Sequence, residues 1–113
     1  DMKVNEYNVE VKTQVPLIVY DSFAVNENQL NKLKKCRYVF FVSCPLKTID
    51  DPYEGCIYCL DMQHRDLKIS RKTLKSGREI ICFNRKQKAM RIVNRITDSK
   101  ILNQMKELST SYL

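Results

Sequence analysis

The chain has 113 residues, 20 Lys/Arg against 13 Asp/Glu for a net charge of +7, 43% apolar residues and only two glycines. That length holds one domain with a core that needs no staple, and the apolar content excludes a disordered chain. No run of about 18 apolar residues is present, which excludes a membrane-spanning helix, and the start carries no signal-peptide pattern. Asp1 precedes Met2, so the sequence reads as a fragment.

Residues 5–13 alternate, with Tyr7, Val9 and Val11 on one side and Asn8, Glu10 and Lys12 on the other, and predict a half-buried strand. Pro16 interrupts it, and Leu17 to Tyr20 read as a second short extended piece. Asn26 then caps a short helix, with Gln29 as its capping-box partner and Val25 and Leu30 in staple positions. Leu30 and Leu33 form its buried stripe. Tyr38 to Val42 reads as a central strand stopped by Pro45. Tyr53–Leu60 and Asp66–Arg71 read as two strands joined by a short polar turn, with Gly55 where a strand bends sharply. A turn at 75–77 precedes a strand from Glu79 to Phe83, and Ala89–Ile96 reads as the last strand. Asp98 to Ser109 closes the chain as an amphipathic helix with Ile101, Leu102, Met105 and Leu108 on one face. That face either covers the domain's own core or docks on a partner.

The charge is unevenly placed. Residues 1–50 hold seven cations against six acids, whereas 65–95 hold eleven cations against Asp66 and Glu79. Such a segment suits a polyanion or an acidic protein, or forms a solvated strand face. The five cysteines lie singly in apolar runs, the pattern of free buried thiols in a reducing compartment, cytoplasmic or nuclear.

No sequence pattern calls for a metal, a cofactor or catalysis. Cys56, Cys59 and His64 start like a zinc knuckle, but Ile69 stands at the fourth ligand position. In a strand, residues three apart also point to opposite faces, so the two thiols do not converge. A redox pair would want a helix after Cys59 to lower a thiol pKa, and none follows. His64, the one histidine, has no recognisable nucleophile motif beside it, and two glycines make no phosphate-cradling loop. The chain reads as a non-enzyme.

A helix followed by five strongly bent antiparallel strands is the order of the Sm-like barrel. The stretch Tyr53, Gly55, Ile57, Asp61, then Asp66, Leu67 and Ile69 resembles that family's first motif. The interval from Asp61 to Asp66 is one longer than in typical Sm proteins and is similar to Gemin-type subunits of the survival-of-motor-neuron (SMN) complex, as is the helix after the fifth strand. The resemblance covers roughly residues 26–109. Asp66 stands where RNA-binding Sm rings carry asparagine, and 84–88 (Asn-Arg-Lys-Gln-Lys) lacks the glycine of their second motif. The uridine pocket is therefore expected to be lost.

The resemblance implies a mostly β domain over 26–113, with an N-terminal helix, a five-stranded antiparallel Sm-like barrel and a C-terminal helix, preceded by an extended segment over 1–25. It implies a scaffold that pairs through strand edges with another Sm-like subunit in a hetero-oligomer, within small nuclear ribonucleoprotein (snRNP) biogenesis, an mRNA-processing pathway. The expected partner edges carry Tyr38, Phe40, Val42, Ile81, Phe83, Met90 and Ile92, and the fold motif is Gly55, Asp61 and Asp66. Nonspecific RNA contact is expected through Lys68, Arg71, Lys72, Arg78, Arg85, Lys86 and Lys88. Two other small folds fit the same element order. An oligonucleotide-binding barrel would grip single strands with Tyr53, Tyr58, Phe83, Lys68 and Arg78. A pleckstrin-like module would meet anionic lipid or protein with the basic stretch.

Overall fold

The computed structural model describes residues 2–4 and 7–108. Residues 1, 5 and 6, and the tail 109–113 with the expected helix end at Ser109, lie outside the described residues. In chain order the elements are β1 (Met2–Val4), β2 (Tyr7–Gln14), β3 (Ser22–Val25), α1 (Glu27–Leu33), β4 (Tyr38–Ser43), β5 (Cys56–Asp61), β6 (Ser70–Thr73), β7 (Glu79–Asn84), β8 (Met90–Arg95) and α2 (Ser99–Leu108).

Local chemistry accounts for the best-formed pieces. Asn26 Oδ1 accepts from the Gln29 amide at 2.8 Å while Gln29 Oε1 accepts from the Asn26 amide at 2.9 Å, a reciprocal cap on α1. The stripe Leu30 and Leu33 is fully buried. β4 alternates half-buried and buried positions, and Val39 and Phe41 point into the core. At Gly55 the backbone is left-handed (φ +77°), and a Cβ there would sit 2.6 Å from the Ile96 carbonyl oxygen and 2.8 Å from Leu102. Only glycine fits this junction, where Gly55 donates to the Ser43 carbonyl and accepts from the Ile96 amide.

Two sheets sandwich the core. Four longer strands run β2-β4-β5-β8, with the short β1 hairpinned onto the end of β2, and the second sheet runs β3-β7-β6. Phe23 of the second sheet stacks on Phe41 of the first at 4.5 Å, with Phe83 and Tyr58 packed around them. The aromatic quartet bolts the sheets face to face.

This architecture corrects the expected closed five-stranded barrel. Closure would need β8 to return to β4, but β2 already occupies that edge of β4, in parallel register from Val9–Tyr38 to Gln14–Ser43. β8 pairs instead with the far side of β5. The expected pairing of the strands around 53–71 is also absent. Asp61 Oδ1 accepts from the Gln63 amide, His64 Nδ1 from the Asp66 amide, and the Gln87 side chain holds the Lys68 backbone. These turns lift the chain off the first sheet, so β6 starts at Ser70 and pairs with β7 alone. Leu17 to Tyr20 do not form the second strand either. Leu17 and Ser22 exchange backbone bonds around a tight turn, and β3 begins at Ser22.

Candidate functional site

The first candidate is the reach of β2 that β1 leaves uncovered. β1 pairs with Tyr7, Asn8 and Val9 only. In a strand the N–H and C=O of one residue point to the same side, and successive residues alternate. The Gln14 carbonyl accepts from the Cys44 amide at the end of β4, so the even-numbered residues of β2 bond β4. Val11 and Thr13 therefore present their backbone groups to the other side, where no described strand lies opposite them. Val11 is 49% exposed although the sequence places it on the buried side.

That edge faces a groove of about 410 Å³ whose far wall is β3 and the start of α1. β3 contributes an uncovered edge of its own. Ser22 is bonded to Leu17, and the Ala24 carbonyl, turned away from β7, accepts from Gln14 Nε2 at 2.9 Å. β2 and β3 thus form a hairpin pinched at Leu17–Ser22 and splayed beyond it, with one glutamine amide bridging the opening. Lys12, Gln29 and Arg78 stand around the groove, and Leu17, Val25 and Ile80 lie at its base.

The other edges are blunted. β8 skips Val93 in its pairing with β5, a bulge, and carries Arg91 and Arg95. β6 has four exposed residues, two of them Arg71 and Lys72. Short, bulged and charged edges resist pairing with another chain.

The second candidate is a buried ion cluster. Arg85, 5% exposed, follows β7 and reaches Asp51 (NH1 to Oδ2 2.8 Å), Asp21 (Nε to Oδ1 2.7 Å) and the Ser43 hydroxyl (3.3 Å). The Asp51 side chain is 1% exposed. The guanidinium also lies within about 6 Å of the Phe23, Tyr53 and Tyr58 rings. Burial alone would lower its pKa, but the hydrogen bonds it donates to both carboxylates and their negative charge more than offset that and raise it. The cluster ties four chain segments together. Nearby, burial pushes the Tyr58 phenol up to about 12.

The residues singled out from sequence fall into distinct places. Tyr38, Phe40 and Val42 belong to β4, which has neighbours on both sides and is no edge; they lie half-buried on the face turned away from the second sheet. Ile81 and Phe83 belong to β7, the middle strand of its sheet, and are buried in the core. Of the expected edges only β8 is one, with Met90 buried and Ile92 46% exposed. Asp61 pairs with Arg37, whose guanidinium lies over Tyr7 and Tyr38. Asp66 stays in the turn after β5.

Among the cations expected at RNA, Arg85 is withdrawn into the cluster. Lys68, Arg71, Lys72, Arg78, Lys86 and Lys88 are exposed. Arg71 is held by Glu27 at 2.6 Å, Lys72 lies over Tyr20, and Lys86 approaches Asp21 at 3.6 Å. Tyr53, an exposed ring beside Arg85, and the buried Tyr58 and Phe83 make no stacking row. The five cysteines are free and buried, and burial raises the pKa of each thiol. Among the described residues no group of three metal-ligating side chains converges, and no helix is long and apolar enough to cross a membrane.

The groove and the Arg85 cluster escape a sequence reading. No family model, curated protein or solved structure matches this chain.

Proposed function

We propose that this chain is a non-catalytic binding module that recruits a protein partner by strand addition to the uncovered edge of β2. The observation that carries the reading is the pair Val11 and Thr13, whose outward backbone groups line a groove between two splayed strands. Unpaired strand groups beside a groove are what β-augmentation uses, with main-chain hydrogen bonds for affinity and alternate side chains for specificity. The setting of snRNP assembly drew its support from a barrel that the two open sheets replace, so the proposal is confined to pairing with a protein.

The discriminating variant is Thr13→Pro. It removes one outward N–H and leaves the β4-facing bonds of Lys12 and Gln14 in place. Wild-type chain on a resin should retain a protein partner from nuclease-treated extract at near-equal amounts. The variant should lose that partner while its melting temperature stays close to wild type. Identical retention by both chains would refute strand addition at this edge.

A further inference from the structure

The chemistry of the groove narrows what enters it. The bridge register places Lys12 opposite Phe41, so its side chain shares the inner face of the sheet with that core residue, while Val11 and Thr13 share the outer face with Phe40 and Val42. The Lys12 side chain is only 20% exposed, and its contact with Glu10 is long, at 3.9 Å. Arg78 adds a second cation across the opening. The chain as a whole is at +7.

We propose that the occupant is an extended segment of a partner protein that carries a carboxylate opposite Lys12, with apolar residues on either side of it opposite Val11 and Thr13. This rests on the strand-pairing reading above. The segment runs antiparallel to β2 and continues the line that β1 begins at Val9. Its inward carboxylate meets Lys12 across the strand pair, where opposite charges attract. Its two outward side chains extend the apolar surface of Val11, Phe40 and Val42. A basic segment would set like charges in a half-enclosed space and is rejected.

The test is selection of random eight-residue peptides displayed on phage against the folded chain. Winning peptides are then measured by fluorescence anisotropy and by amide exchange of the complex. Expected winners alternate apolar and polar residues around a central Asp or Glu and slow the exchange of the Val11 and Thr13 amides. Their affinity should fall about two- to fivefold with Lys12→Gln and at least about tenfold with Thr13→Pro. Winners that protect both amides but show no carboxylate preference, or that ignore Lys12→Gln, overturn the acidic occupant and leave strand pairing standing. If no peptide is enriched, or the winners leave both amides unprotected, the strand-pairing reading falls as well.

Discussion

Replacing Arg85 by methionine removes the only cation that touches Asp51 among the described contacts. The Asp51 carboxylate, 1% exposed, then loses guanidinium bonds of 2.8 and 3.5 Å and keeps its bond to the Tyr53 amide at 3.1 Å. Asp21 also loses its 2.7 Å contact, but it is partly solvated and still has Lys86 within 3.6 Å. The cost is therefore set by Asp51. Leaving one member of a buried ion pair uncompensated costs about 3–5 kcal/mol, against a total stability of about 5–15 kcal/mol for a domain. In urea monitored by circular dichroism, with a slope of about 2 kcal/mol per molar, the midpoint should fall by about 2 M. The double variant Arg85→Met with Asp51→Asn should recover much of that loss, because no bare charge remains. A single-variant loss under about 1 kcal/mol, or no recovery in the double variant, would refute a buried, structural role for Arg85.

Gly55→Ala should lose at least about 2 kcal/mol, since a left-handed backbone and a 2.6 Å approach to the Ile96 oxygen act together. Gly77→Ala, at φ +85° with open space around the new methyl, should lose only the conformational part, about 1–2 kcal/mol, in the same urea assay. The fold keeps Tyr58 neutral up to about pH 12, whereas the unfolded phenol ionises near 10, so stability should fall as pH rises between these values. The Tyr58 share is about 2–3 kcal/mol, and Tyr58→Phe should remove that part of the slope in urea midpoints measured against pH. The raised thiols act in the same direction from about pH 9 upward and remain in the variant as its baseline.

Short-range chemistry was legible in the residues. Asn26 and Gln29 announced the capped helix, and the short apolar runs Tyr38–Val42 and Glu79–Phe83 announced two core strands. The apolar stripe of the last helix was legible too, yet none of its side chains is buried, because α2 stands outside the sandwich. Pairing partners were not legible. Whether β4 takes β2 or β8 at its edge is a competition between segments over 50 residues apart, and period-2 alternation is identical in either outcome. Of the apolar side of β2 only Val9 is buried, while Tyr7 and Val11 are exposed, which no local pattern foretells. Arg85 read as one more surface cation because its carboxylates lie 34 and 64 positions away.

The most direct measurement is amide hydrogen exchange of the free chain, resolved residue by residue along β2 by NMR. An uncovered edge predicts alternation: Lys12 and Gln14, whose N–H groups face β4, exchange slowly, while Val11 and Thr13 exchange orders of magnitude faster. Equal, strong protection of Val11 and Thr13 would mean that the edge is already filled, and strand addition there would be contradicted.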